Sequence, residues 1–151
     1  NLDLAKRVNT KLNASGALPV LSRSNDTFYS LQERVNKAAS AQADLFLSIH
    51  ANANDSSSPN GSETYYDTTY QAANSKRLAE QIQPKLAANL GTRDRGVKTA
   101  AFYVIKYSKM PSVLVETAFI TNASDASKLK QAVYKDKAAQ AIHDGTVSYY
   151  R

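Results

Sequence analysis

The first third of the chain alternates helical and strand-like spacings of apolar residues. Apolar residues four apart predict an amphipathic helix over residues 1–12, which ends before Gly16. A short apolar run at 17–21 predicts a buried strand. Apolar residues on one face of 30–42 predict a second helix, and the nearly continuous apolar run at 45–49 predicts a central strand.

The rest of the chain repeats this alternation after a polar loop at 52–62. Residues 64–66 resemble a strand, and a helical spacing of leucine and isoleucine predicts a helix over 70–90. Pro84 is expected to kink or interrupt that helix, because proline lacks the amide donor of a helix interior. Two further strands are predicted, at 101–105 and 113–116.

The chain closes on two predicted helices, a short one over 125–131 and a longer one that ends near Tyr149. Helices that alternate with short apolar strands are typical of α/β domains, in which helices cover both faces of a sheet. We therefore predict one α/β domain over residues 1–151, with a mostly parallel twisted sheet and helices on both faces. A chain of this length buries a sufficient core without disulfides or metals.

Composition excludes several classes of function. No apolar run approaches the roughly 20 residues that span a bilayer, so no membrane span is expected. Cysteine is absent, which excludes disulfides and thiolate zinc sites. The net charge of +6 favours attraction to polyanions, including anionic wall polymers. Because the basic residues are scattered and no nucleic-acid-binding motif accompanies them, we expect no nucleic-acid partner.

Two ionisable residues follow apolar strands directly. His50 ends the run at 45–49, and Glu116 ends the run at 113–115. Ligands of open α/β sheets bind beyond the carboxyl ends of strands, so parallel strands would bring this pair to one edge. Metal-assisted hydrolysis is one interpretation. The other is structural: His50 satisfies a loop carbonyl, and Glu116 pairs with Arg95 or Lys98.

Six short segments carry a stronger signal, because they occur in a fixed order. They are SRSND at 22–26, LQER at 31–34, SIHAN at 48–52, GSETYY at 61–66, DRGVK at 94–98 and MPSVLVE at 110–116. In this order they resemble the zinc-dependent N-acetylmuramoyl-L-alanine amidases of type 3, which are peptidoglycan hydrolases. The similarity covers essentially the whole chain.

The resemblance implies a cofactor, a substrate and two site residues. It implies that Zn²⁺ is the cofactor, that His50 is a zinc ligand, and that Glu116 is the catalytic carboxylate. The implied reaction is hydrolysis of the amide that joins N-acetylmuramic acid to L-alanine, with bacterial peptidoglycan as partner. It further implies a monomer that acts outside the cell or at the wall, or a phage lysin released to the wall.

Three further residues are candidates for contact with substrate. Asn52 begins the polar loop next to His50, Glu63 could orient a metal ligand by a hydrogen bond, and Tyr65 could stack on sugar or peptide. Each also has a structural interpretation: a plain linker, a charged residue beside an edge strand, and a packing residue of a strand.

The chain departs from this family at the metal site. The family draws its other two ligands from a Gly-His-Gly-Gly loop after its first strand and from a glutamate before the helix that here follows Asn1. Residues 1–151 contain neither, and the second histidine, His143, lies in the last predicted helix. We therefore expect a truncated amidase domain that lacks the family's first strand, with two ligands upstream of Asn1. The alternative function is a non-catalytic or inactive peptidoglycan-binding module.

Overall fold

A computed structural model describes residues 1–151 as six helices and four strands. The helices are α1 (Leu2–Ala14), α2 (Leu31–Ser40), α3 (Ala72–Leu90), α4 (Tyr103–Tyr107), α5 (Ala123–Lys130) and α6 (Ala132–Tyr149). The strands are β1 (Phe46–Asn52), β2 (Ser62–Tyr66), β3 (Asp94–Thr99) and β4 (Ser112–Phe119). No helix is both long and apolar enough to cross a membrane.

The strands form one sheet in the order β1-β4-β2-β3. β1 pairs with β4 and β2 pairs with β3 in parallel, whereas β2 and β4 are antiparallel. This mostly parallel sheet with helices on both faces confirms the predicted fold class. The prediction that β1 is central is wrong, because β1 pairs with β4 alone and forms one edge of the sheet. A continuous apolar run indicates that a strand has apolar surroundings. It does not indicate how many strands pair with that strand.

One face of the sheet packs on α3, α6 and α1 and forms the main core. Leu78, Ile82 and Leu86 of α3 are fully buried against Ile142 of α6, as the helical spacing of these residues requires. α6 approaches α3 closely at Gly145, where an added Cβ would lie 2.6 Å from the Ile82 Cα. Glycine at this position therefore sets the separation of the two helices.

The opposite face of the sheet is covered only in part. Val35 of α2 and Val104 and Ile105 of α4 bury Leu114 of β4 there. α2 begins with a capping box, in which the Ser30 hydroxyl accepts from the third helical amide. Because these two helices are short, the neighbouring part of this face remains uncovered and carries polar side chains.

The predicted strand at 17–21 is not formed, and this prediction is wrong. Leu18 is 92% exposed and Val20 is 62% exposed, and the segment has no partner strand. A groove of about 850 Å³ separates it from β1, and His50 lies on the groove wall. A strand requires a partner for its backbone groups, and an apolar run alone does not supply one.

Three other differences concern the second half of the chain. The predicted strand at 101–105 is wrong, because these residues lead into the helix α4. β3 was missed, since its DRGVKT sequence lacks an apolar run. The helix α3 is not interrupted at Pro84 and runs from Ala72 to Leu90. In each case tertiary packing outweighs the local propensity of the residues.

Candidate active site

A row of polar side chains crosses the uncovered part of the sheet. His50 of β1 pairs in register with Glu116 of β4, and Glu116 lies opposite Glu63 of β2. Lys98 of β3 pairs with Tyr65 of β2, which is on the same face as Glu63 because it is two residues away. The parallel pairing of β1 and β4 thus brings His50 and Glu116 together, as the sequence predicted, although both lie inside their strands and not at the strand ends.

His50 is half-buried, and its ring is held by its own strand. The Ser48 hydroxyl lies 2.9 Å from the Nε2 atom of His50. Burial lowers the pKa of His50 below its ordinary value, and the nearby Arg34 cation lowers it further. A neutral imidazole is the form that binds a metal ion. The predicted alternative, a hydrogen bond from His50 to a loop carbonyl, is not found.

Glu116 has a carboxylate oxygen without a hydrogen-bond partner. Its Oε2 atom is buried and unsatisfied. Burial raises the pKa of Glu116 to about 7, and the negative charge of Glu63 contributes to this rise. The predicted alternative, an ion pair of Glu116 with Arg95 or Lys98, is wrong, because both cations bind Glu63. Glu116 is therefore a carboxyl group poised to exchange a proton near neutral pH.

Glu63 is the opposite case, a buried carboxylate that is fully hydrogen-bonded. Its side chain is 3% exposed and accepts from Asn52 Nδ2 at 2.8 Å, Tyr65 Oη at 2.7 Å, Arg95 Nε at 2.8 Å and Lys98 Nζ at 2.5 Å. Burial alone would raise the pKa of Glu63, but these donors outweigh it and lower the pKa to about 2. Glu63 lies on an interior strand, so the expectation of an edge-strand residue is wrong.

The other two candidate contacts belong to the Glu63 network. The Asn52 amide donates to Glu63, and its oxygen accepts from the Ala53 amide. The Tyr65 ring packs edge-on against Phe102, with 5.1 Å between ring centroids. Both side chains therefore have structural partners, and these partners hold them on the face that carries His50 and Glu116.

The loop that follows Asn52 is tied to the opposite side of the site. Asn122 Nδ2 donates to the Ser57 carbonyl at 2.9 Å, and the Gly61 amide donates to Asp125 Oδ2 at 2.8 Å. Gly61 has a φ of 111°, and a side chain there would collide with the Arg93 carbonyl. The polar loop is thus anchored near its middle, at Ser57, and at its end, at Gly61.

Arg95 and Lys98 were considered from the sequence only as partners of Glu116, and their shared contact with Glu63 was not predicted. The scattered basic residues suggested a solvated surface, and the apolar pattern did not mark β3 as a strand. The available signal was the DRGVK segment, which places the two cations three residues apart. Only the β2–β3 pairing shows that both cations reach the carboxylate of Glu63.

Residues 1–151 do not form a complete metal site. No group of three His, Cys, Asp or Glu side chains is arranged to hold a metal ion. His143 is remote from His50: its ring lies 2.5 Å from Ser15 Oγ and 2.8 Å from Asp144 Oδ1. His50 is therefore the one histidine at this site, and a catalytic zinc requires two further protein ligands.

Comparison with known proteins gives a consistent result. A family model described as N-acetylmuramoyl-L-alanine amidase matches residues 1–147. The chain is 99% identical over 151 residues to N-acetylmuramoyl-L-alanine amidase LytC of Bacillus subtilis (strain 168), and it spans 30% of the length of that relative.

Solved structures share the fold. The catalytic domain of CwlV, an N-acetylmuramoyl-L-alanine amidase from Bacillus (Paenibacillus) polymyxa var. colistinus, superposes with a TM-score of 0.92 at 37% identity. The match covers 99% of this chain and 82% of that one. N-acetylmuramoyl-L-alanine amidase AmiC2 of Nostoc punctiforme gives a TM-score of 0.91 at 38% identity, over 99% and 81% of the two chains.

Proposed function

This chain belongs to the N-acetylmuramoyl-L-alanine amidase family, and from this we propose that residues 1–151 are an amidase catalytic domain of a peptidoglycan hydrolase. The bond cleaved is the amide between N-acetylmuramic acid and the L-alanine of the stem peptide. The observation that carries the proposal is the His50–Glu116 pair on adjacent parallel strands, in which Glu116 keeps a buried oxygen without a partner. A catalytic carboxylate requires such a free oxygen.

We propose that His50 is a zinc ligand. Its lowered pKa keeps the imidazole neutral, and the Ser48 hydroxyl that contacts Nε2 is a weak competitor for that nitrogen. When bound, zinc would supply a water molecule of lowered pKa and would polarise the amide carbonyl. The donor type of His50 fits this metal, since zinc accepts nitrogen ligands.

The two remaining ligands are proposed to come from residues outside 1–151. The groove beside β1 supports this proposal, because it leaves the free edge of β1 open and includes His50 in its wall. The family's other ligands accompany its first strand, and such a strand would satisfy the backbone groups at this edge.

Glu116 is proposed to move the proton. The Glu116 carboxylate would accept the proton of the attacking water and then donate it to the leaving nitrogen of L-alanine. A pKa of about 7 suits both transfers, because the group is close to equally populated in its two forms at neutral pH.

The surroundings of the enzyme follow from its substrate. Peptidoglycan lies outside the cytoplasmic membrane, so we propose that the domain works at the cell wall or outside the cell, as a bacterial autolysin or as a phage lysin. The net charge of +6 favours retention near anionic wall polymers. We propose that it acts as a monomer, because the site is formed by strands of one chain.

The test is release of stem peptide from purified cell wall by the zinc-loaded protein, followed as new muramic acid lactyl groups and free L-alanine amino groups. We expect activity that a strong chelator abolishes and that Glu116→Gln reduces by about 10²- to 10⁴-fold. Glu80→Gln, an exposed helix position paired with Lys76, is the matched control. Wall binding without any released peptide would instead identify a binding module, and full activity of Glu116→Gln would exclude our assignment.

A further inference from the structure

We propose that Lys98, supported by Arg95, binds a free carboxylate on the peptide part of the substrate. This inference rests on the proposed function, because it assumes that a peptide lies across the face that carries Glu116. It adds a specificity-determining residue: the ligand class is an anionic peptide whose second residue keeps an unblocked carboxylate. No step of the proposed chemistry requires this contact.

The first argument is the charge balance of the cluster. Two cations, Arg95 and Lys98, share one ionised carboxylate, Glu63. The other carboxyl group nearby, Glu116, forms no ion pair with either cation. The cluster therefore keeps a positive charge, which attracts an anionic group of the substrate at short range.

The second argument is that Glu63 is satisfied without Lys98. Its carboxylate also accepts from Asn52, Tyr65 and Arg95, which accounts for most of its hydrogen-bonding capacity. The fold therefore does not require Lys98 as a fourth donor to this buried carboxylate. The Glu63 contact instead fixes the position of the ammonium group.

The third argument is that donors remain free. A lysine ammonium has three N–H donors, and Glu63 is the one acceptor found for Lys98. The Lys98 side chain is 37% exposed, so its other donors are open to a ligand. Arg95 is more enclosed, because it also contacts the Asn60 carbonyl and lies over the Phe119 ring. Lys98 is thus the contact, and Arg95 supports the charge.

The fourth argument is the distance from the proposed chemistry. The Lys98 ammonium is 2.5 Å from the carboxylate of Glu63, and Glu63 lies directly opposite Glu116 on the neighbouring strand. Neighbouring strands are about 4.8 Å apart, so the ammonium is roughly one strand spacing from the strand of Glu116. A peptide advances about 3.5 Å per residue. A carboxylate on the residue after L-alanine therefore reaches Lys98.

The experiment compares two synthetic muramoyl peptides with the zinc-loaded protein. One has a free carboxylate on the residue after L-alanine, and the other has a carboxamide there. For the wild-type chain we expect KM for the carboxylate peptide to be about tenfold lower, because a charge-assisted hydrogen bond is lost with the amide. The values of kcat should agree within about threefold, since Lys98 does not touch the cleaved bond.

The variants separate recognition from folding. Lys98→Gln should raise KM for the carboxylate peptide to that of the carboxamide peptide, whereas Lys98→Arg should keep the preference. Lys6→Gln, at an exposed position on α1, should behave as wild type. Equal KM values for the two peptides in the wild type, or a preference that survives in Lys98→Gln, would overturn the proposal.

Calorimetry on the Glu116→Gln variant measures peptide binding, so its result does not depend on whether the peptide is cleaved. A preference of about tenfold in binding the carboxylate peptide, lost when Lys98→Gln is added, would uphold the carboxylate site even if the wild type cleaved neither peptide. Absence of cleavage would then count against the proposed amidase function alone. Equal binding of both peptides would reject the role of Lys98.

Discussion

Glu63 and Glu116 lie directly opposite each other on the antiparallel strands β2 and β4. Two ionised carboxylates in this arrangement repel each other. The two carboxyl groups differ in their environments. Glu63 accepts four hydrogen bonds and stays ionised, whereas Glu116 keeps an oxygen without a hydrogen-bond partner and has a pKa of about 7. One carboxylate thus organises the site, and the other is free for proton transfer.

The first prediction concerns stability against pH in the metal-free protein. The pKa of Glu116 is about 7 in the folded chain, above its ordinary value of 4.5. A raised carboxyl pKa contributes stability that is complete below pH 4.5 and is lost as pH rises towards 7. Glu116→Gln lacks this loss, so its free energy of unfolding should rise relative to wild type across this window.

Urea unfolding from pH 4 to 8 in the presence of a chelator measures this difference. The difference between wild type and Glu116→Gln should change between pH 4.5 and 7 and be flat above. Glu80→Gln, which removes an exposed carboxylate, should show no such dependence. A difference that is constant with pH would contradict the raised pKa of Glu116.

The second prediction concerns the anchoring role of Glu63. Glu63→Ala leaves Arg95 and Lys98 without their shared acceptor in a partly buried site, and it should lower the free energy of unfolding by about 1–3 kcal/mol. Glu63→Gln keeps an acceptor oxygen and should cost less. Urea denaturation at pH 7 measures both values, with Glu80→Ala as the exposed control. A cost of Glu63→Ala no larger than that of the control would disprove the anchoring role.

The parallel pairing of β1 and β4 could be predicted, because both strands are apolar runs that end in a chemically distinctive residue. His50 and Glu116 end two such runs, and the rule for parallel strands then places them at one edge. The structure brings the two residues together in register, but the prediction that they stand at strand ends is wrong, because β1 runs on to Asn52 and β4 runs on to Phe119. Periodicity was therefore sufficient to bring the two residues together, although their proposed roles came from the family resemblance.

The Glu63 network could not be predicted in the same way. It depends on β3, whose residues show no apolar run, and on the antiparallel pairing of β2 with β4. Hydropathy reports which side chains avoid water, but it does not report which buried charge meets which cation. The error at Leu18 has the same cause, since strand formation depends on a partner that a local pattern does not encode.

The third prediction concerns the contact between α3 and α6. Gly145→Ala places a Cβ 2.6 Å from the Ile82 Cα, so the helices must move apart. We expect a loss of about 1–3 kcal/mol in the free energy of unfolding, which is typical of an overpacked core. Lys137→Ala, at an exposed position of α6, is the control. A variant as stable as the control in urea denaturation would show that the contact is not tight.

The fourth prediction tests zinc binding at His50 against the second histidine. His50→Ala should weaken zinc binding of the zinc-loaded protein by at least roughly tenfold, because it removes a proposed ligand. His143→Ala should leave zinc affinity unchanged, since its ring contacts Ser15 and Asp144 far from the site.

Competition with a chromophoric chelator measures both zinc affinities, and circular dichroism shows whether each variant is folded. His50 is half-buried and its ring forms one hydrogen bond, with Ser48, so its removal should leave the fold intact while the metal is lost. The two histidines differ in their surroundings more than in their exposure. Equal zinc affinity in both variants would therefore remove His50 from the metal site, and it would leave Glu116 without the partner that the proposed reaction requires.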